Sequence, residues 1–403
     1  MSAPTTRRVF LRSSGLAVVS FGALPRFLAR TALAAAGITR RKTLVVLFQR
    51  GACDGLNTVV PFGDSAYRSL RPSIAVPPPN GGKDAALDLD GFFGLHPALA
   101  PLLPAWREGS LAVVHAVGSP DATRSHFDAQ DFMESGTPGR KATEDGWMNR
   151  SLKAQPDPVA SPFRAVALTP TMPRSLAGSA PAIALRNISD FGLRPTVGGP
   201  STRGFEDVYA ATQFLKAADP SRYAPAPGAR YPRGPLGDSL LQVAQLLKAD
   251  VGLELAFTEV GGWDHHAAEG GVTGQLANRL RDLGAALAAF HLDLGPRLSD
   301  VVLVTLTEFG RTARENGNRG TDHGHGSVAF VMGGPVRGKR VLGRWPGLGN
   351  DRLYEGRDLA VTTDFRDLLG EVLTQHLGVG DLGSVFPGFS SAVSRFPGVI
   401  RAW

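Results

Sequence analysis

One cysteine, Cys53, stands in a chain of 403 residues, so no disulfide can form within it and the fold rests on its core. Long apolar runs are missing as well: the weakly apolar stretch from Ser13 to Leu24 is too short for a resident transmembrane helix. No block of lysine and arginine with interleaved aromatics occurs, which excludes the usual footprint of a nucleic-acid binder despite a net charge of +7. Most of that charge belongs to the first 36 residues, where Arg7, Arg8, Arg12, Arg26 and Arg30 meet no acid and leave +2 for the rest. Three motifs are also absent behind the strand-like segments: the G-x-S-x-G elbow, the P-loop and G-x-G-x-x-G. Their absence counts against triad hydrolases, NTPases and dinucleotide enzymes. With a lone cysteine and no haem or flavin motif, a redox role has nothing to stand on.

What is present is ordinary for a folded domain, at 43% hydrophobic and 20% charged residues. The 49 glycines and 30 prolines point to many loops on a rigid scaffold rather than to long helical bundles. The N-terminus, Thr6-Arg7-Arg8-Val9-Phe10-Leu11-Arg12, resembles the bacterial twin-arginine export signature, and Ala32 to Ala36 suit signal-peptidase cleavage. Residues 1–36 are therefore expected to be a signal peptide read by the twin-arginine translocase. The mature protein is expected to be periplasmic or secreted, with no resident membrane span.

The rest of the chain alternates buried-strand runs with glycine-rich loops. Val301-Val302-Leu303-Val304 has no helical period and reads as a strand of a largely parallel sheet. It delivers Glu308 to its carboxyl end, where open α/β sheets place their chemistry. A loop follows, carrying Arg311 and then Asp322-His323-Gly324-His325. The run Lys42 to Phe48 reads as the first strand, ending in Gly51-Ala52-Cys53-Asp54-Gly55-Leu56-Asn57. Asp54 is thus a second carboxylate at a strand end, although a lone Asp-Gly also suits an Asx-turn. Leu253 to Val260 is a further strand, and it ends in Gly261-Gly262-Trp263-Asp264-His265-His266.

Leu111 to Gly118 is the second strand in chain order, with His115 expected as a core histidine rather than a ligand. After it, Arg124-Ser125-His126 lead into a helix. Ser125 there serves equally as an N-cap or as an exposed nucleophile beside a helix terminus. Arg124 suits a clamp on phosphate or sulfate oxygens. Helices are expected over Ser239 to Leu247, Val272 to Leu292, Val208 to Ala217 and from Asp364 to His376, with His376 and His96 given structural roles. Residues 62–110 and 155–237 read as irregular insertions in a single domain spanning 37–403.

The residues gathered by this reading on one rim are Asp54, Asp264, Glu308, Asp322, His126, His265, His266, His323 and His325. Mixed carboxylate and imidazole donors fit Zn or Mn better than Ca or Mg. The inventory is large enough for two divalent cations about 4 Å apart.

Five ordered motifs then carry a resemblance: Arg50 to Pro61, Ser125 to Gln130, Gly262 to His266, Thr307 to Thr312 and Asp322 to Gly326. They resemble the exported bacterial proteins grouped as domain of unknown function 1501, within the alkaline phosphatase and sulfatase superfamily. The resemblance implies an alkaline phosphatase-like α/β sandwich with a largely parallel central sheet and helices on both faces. It implies one or two divalent metals, with Asp54 as the ligand after the first strand and Asp264 with His266 (or His265) on one cation. Glu308 stands where an aspartate usually binds the other, and His323 or His325 resembles the late histidine ligand. Ser125 is the nearest match to the nucleophile, beside Arg124 and His126, with Arg311 and Asn57 toward the substrate. The sulfatase motif C-x-P-x-R is absent, since Cys53 is followed by Asp54-Gly55-Leu56. The expected activity is metal-dependent hydrolysis of a phosphate or sulfate ester by Ser125 or a metal-bound water. The alternative is a non-catalytic metal- or polymer-binding envelope protein on the same fold.

Overall fold

The computed structural model describes residues 18–19, 41–141, 143–157, 161, 163–188, 223–390 and 392–401. The expected signal peptide, but for the 18–19 pair, and the helix expected near Val208 to Ala217 lie outside these residues. Among the described residues no helix is long and apolar enough to cross a membrane.

Short runs of β-branched and aliphatic residues build the central sheet. In chain order its strands are β1 (Thr43–Gln49), β2 (Leu111–Gly118), β3 (Ala165–Ala167), β4 (Ile183–Ala184) and β5 (Leu255–Val260). They continue with β6 (Val301–Leu306), β7 (Ser327–Gly333), β8 (Val341–Leu342) and β9 (Thr363–Asp364). Across the sheet the order is β4-β3-β5-β1-β6-β7-β2-β8, with β9 also on β2. Among β1–β9 pairing is parallel except on both sides of β7, which runs antiparallel to β6 and to β2, and the Val18–Val19 pair lies antiparallel beside β4 at the edge. The expectation of a largely parallel sheet holds, and β7 makes it mixed.

Why the strands read as unbroken apolar runs is visible in their packing. Alternate residues of β1 enter different cores, Val45 and Leu47 on one face and Leu44, Val46 and Phe48 on the other. A strand covered on both faces has no polar side to display. One face is closed by α5 (Pro235–Lys248) and α6 (Gln275–Leu294), through Leu240, Val243, Leu280, Leu287 and Phe290. The other is closed by α4 (Trp147–Ala154) and α7 (Phe365–Glu371), through Trp147, Met148, Phe365 and Leu368. Each buried aliphatic or aromatic side chain contributes on the order of 1.5–3 kcal/mol relative to exposure.

Two short helices lie nearer the rim, α1 (Gly55–Thr58) and α2 (Ala66–Leu70), and α3 (His126–Ser135) starts there. The 62–110 segment is less irregular than its prolines suggest. Its Gly94–Leu95 and Leu87–Asp88 join Val59–Val60, just before the segment, in a small antiparallel sheet, and a 3-10 turn at Pro97–Leu102 then packs on α6. His96 caps that turn by accepting from Ala98 N–H at 3.0 Å, as a structural residue should. His115 and His376 are likewise buried and bonded to the carbonyls of Val59 and Thr43, at 3.0 and 3.1 Å.

Register places the chemistry. Gln49 pairs with Val260, and Phe48 with Leu306, so β1, β5 and β6 all end at one level. Val117 of β2 pairs with Ser327, the first residue of β7, at that same edge. Loops 50–54, 119–125, 261–274 and 307–326 therefore share one rim.

Candidate metal centre on the sheet rim

The loop after β5 is extended and alternates. Trp263 is buried in the core with its Nε1–H donating to the Val260 carbonyl at 3.1 Å. Asp264 then faces out, His265 faces in, and His266 faces out. This alternation decides between the two neighbouring histidines: His266 reaches the rim, and His265 is only 5% exposed. Burial lowers the His265 imidazole to a pKa of about 4, so it is a neutral interior ring.

The long loop after β6 folds back on itself. Gly310 N–H donates to the His325 carbonyl and Gly324 N–H to the Gly310 carbonyl, both at 2.8 Å. A Cβ on Gly310 would lie 1.8 Å from the Gly326 carbonyl oxygen, so only glycine permits this approach. The fold-back pairs Arg311 with His323 and brings His323 to Asp264.

Four side chains meet there. His126 Nε2 lies 3.5 Å from Asp264 Oδ2, and His323 Nε2 lies 3.3 Å from Asp264 Oδ1. His266 Nε2 lies 3.0 Å from both Asp264 Oδ1 and His323 Nε2. One ligand atom from each of His126, Asp264 and His323 falls within 4.8 Å of the others. The rings of His126 and His323 pack edge to face at 4.4 Å, with buried Phe309 at 5.0 Å from each.

The opposite nitrogen of every imidazole is held by an acceptor. His126 Nδ1 meets Glu308 Oε1 at 2.8 Å, His323 Nδ1 meets the Arg124 carbonyl at 2.8 Å, and His266 Nδ1 meets Asp322 Oδ1 at 3.0 Å. Acceptors at all three Nδ1 atoms place the proton there and turn the Nε2 lone pairs inward. That is the arrangement of metal-ligating histidines backed by carboxylates and carbonyls. His126 Nε2 is buried without a hydrogen-bond partner, a donor atom that a cation would satisfy. The residues present thus fit one divalent cation held by His126, His323 and Asp264, with His266 in reach as a fourth donor.

Electrostatics agree with this division. The hydrogen bond that His126 Nδ1–H donates to the Glu308 carboxylate raises the imidazole above its ordinary range. Burial lowers His323. Burial alone would raise Asp264, but the Arg311 hydrogen bond and charge outweigh it and hold the carboxyl below its ordinary range. The hydrogen bond from His266 does the same for Asp322.

Several expected site residues have other work. Asp54 is 2% exposed and bound through both oxygens by Arg71, because it caps α1 inside the core rather than facing the rim. Glu308 is fully buried and stands behind His126 rather than in the inner set. Its Oε1 accepts from Gly51 N–H, Gln130 Nε2 and His126 Nδ1, each at 2.8 Å, so its lone pairs are spent orienting His126. Asn57 is buried between Ile74, Tyr67 and Arg71 and cannot touch a substrate. The Arg124 guanidinium is paired with Asp358 and Glu355, both at 2.6 Å, so the anion clamp expected there is already occupied by carboxylates. His325 is buried and stacked on Tyr354 at 4.6 Å, away from Asp264. Asp322 supports His266 rather than joining the inner set. Arg311 is buried and donates Nη1–H to Asp264 at 2.7 Å. Ser125 caps α3, accepting from Asp128 N–H at a long 3.5 Å.

Residues inside the motifs that had been given no role complete the site. Gln130 stands one helical turn after His126 and reaches the same oxygen of Glu308. The spacing of four was a usable signal. Arg50 fixes Gln130 at 3.0 Å and is itself paired with Glu134 and Glu259. Arg71 and Glu269 had no motif to mark them.

The family model described as "Protein of unknown function (DUF1501)" matches residues 92–386. No curated protein matches the chain. Among solved structures the chain is similar to a protein in the alkaline phosphatase superfamily from Vibrio parahaemolyticus. The two are 12% identical over 78% of this chain and 70% of the other, with a TM-score of 0.31.

Proposed function

The chain belongs to the DUF1501 family of proteins of unknown function, and from that premise we propose that it is an exported, metal-dependent hydrolase of a phosphate or sulfate ester. One observation carries the reading: three imidazole Nε2 atoms and the Asp264 carboxylate converge at a half-open rim, each imidazole held from behind at Nδ1. His126, His323 and Asp264 would hold the cation, Zn or Mn by the chemistry of the donors. A divalent cation supplies Lewis acidity toward an ester oxygen. The protein supplies the rest. Arg311 fixes Asp264, Glu308 fixes His126, and the Arg124 carbonyl fixes His323. Ser125 Oγ, one residue before His126, is the nucleophile of this reading, and water replaces it if the serine serves only as the cap. The alkaline phosphatase-like relationship and the twin-arginine export route belong to the proposal.

The test is turnover of nitrophenyl phosphate and nitrophenyl sulfate by protein stripped of metal and reloaded with Zn or Mn. Turnover that returns on loading and is absent in Asp264→Ala supports the reading. A second reading, a non-catalytic metal- or polymer-binding envelope protein, is favoured by His266. As a fourth donor 3.0 Å from His323 Nε2 it can close the shell, as in structural zinc sites. Stoichiometric metal with no turnover on any ester would select that second reading.

A further inference from the structure

Behind the histidine rim lies a second group of residues with the donor types of a metal site: Asp54, Glu269 and His265. None is more than 5% exposed. Against Asp54 stands Arg71, fully buried, with all five N–H groups used. Nη1 donates to Asp54 Oδ2 and to Asn57 Oδ1 (2.9 Å). Nη2 donates to Asp54 Oδ1 (3.0 Å) and the Thr312 carbonyl (2.9 Å), and Nε donates to the Ala313 carbonyl (2.9 Å). Glu269 Oε2 accepts from the Thr321 hydroxyl at 2.7 Å, and that hydroxyl accepts from Arg311 Nε at 3.2 Å. Arg311 in turn holds Asp264, so the two groups are joined by a chain of hydrogen bonds. His265 Nδ1 is buried and has no hydrogen-bond partner.

A second divalent cation does not fit this arrangement. Its nearest carboxylate is saturated by a guanidinium that solvent cannot reach. Placing a doubly charged ion beside Arg71 would set like charges together without water to screen them.

We propose that Arg71 is a built-in organic cation that takes the place of a second metal ion, fixing the protein at one cation per chain. A guanidinium matches a carboxylate through two parallel N–H bonds and keeps its charge at any accessible pH. Through the Thr312 and Ala313 carbonyls it also ties α2 to the loop that carries Arg311 and His323. Burial and the Asp54 charge hold the Glu269 carboxyl well above its ordinary range, so a proton, not a second cation, completes the charge balance.

The inference builds on the reading of the rim as a cation site, and the experiment separates the two. Wild type, Arg71→Met and Arg71→Lys are loaded with Mn²⁺ or Zn²⁺, desalted and analysed for metal equivalents, with thermal melting recorded with and without Mn²⁺. Wild type and Arg71→Lys should hold one equivalent. Arg71→Met should hold two and gain melting temperature on adding Mn²⁺, and Asp54→Asn in that background should return it to one. Two equivalents in wild type would overturn the proposal. So would an Arg71→Met protein that stays at one equivalent and ignores Mn²⁺, or that folds neither with nor without it. No metal in wild type, with Arg71→Met rising to one, would overturn the rim reading alone and keep Arg71 as the built-in cation.

Discussion

Asp264 and Asp54 are both aspartates in loops after neighbouring parallel strands, yet the fold uses them in opposite ways. The Asp264 side chain is 41% exposed, shares one oxygen with Arg311 and faces three imidazoles. Asp54 is 2% exposed and receives a guanidinium through both oxygens. Burial alone would raise Asp54, and Arg71 more than reverses it, keeping the carboxylate ionised inside the core. The difference teaches that position at a strand end does not make a carboxylate a ligand. What decides is whether a guanidinium already fills both of its oxygens, as Arg71 does at Asp54, or only one, as Arg311 does at Asp264.

The comparison can be broken by removing one side at a time. Asp54→Ala leaves Arg71 buried without its partner, and loss of one member of a buried pair costs about 3–5 kcal/mol. Chemical denaturation should show that loss, while the folded fraction keeps its metal. A metal-free but stable Asp54→Ala protein would reverse the roles assigned here. Asp264→Ala should do the opposite, weakening cation affinity by more than about 100-fold, beyond the range of outer partners. Titration with Zn²⁺ against a competing chelator measures it.

Glu308→Gln sharpens the distinction between a ligand and its support. The amide keeps an oxygen for His126 but loses the charge, so affinity should fall by roughly 10-fold, within the range for outer partners. A complete loss of binding would make Glu308 a ligand after all.

The smallest effect is the one at Glu269. Its folded pKa is raised, so the folded state binds a proton that the unfolded state releases. That contribution is fully present below the ordinary glutamate range, near 4.5, and is lost as pH rises toward the folded value. Glu269→Gln removes the ionisation, and its melting temperature should gain on wild type as pH rises above the ordinary glutamate range. Parallel curves for the two proteins would mean that Glu269 is not protonated in the fold.

Much of the rim was legible because two simple signals agreed. Unbroken apolar runs marked β1, β2, β5 and β6, and the residues after them carried the histidines and Asp264. The antiparallel direction of β7 was not legible, since a strand buried on both faces has the same pattern either way. The choice of His266 over His265 depends on Trp263 being buried as an anchor, which sets the alternation but is not announced by it. The correction at Asp54 had the least sequence signal. Its partner Arg71 lies 17 residues on, in a proline-rich stretch with no periodic pattern, and only the closed fold brings the two together. Glu308 was placed correctly at the strand end, but the three donors to its Oε1 come from Gly51, His126 and Gln130, on one other loop and a helix.

The most direct test of the account is X-ray absorption at the metal edge of the Zn-loaded protein. One zinc in a nitrogen- and oxygen-only shell, with the outer-shell scattering of two or three imidazoles, is the predicted result. An all-oxygen shell without imidazole scattering would contradict it, and would place the cation away from His126, His266 and His323.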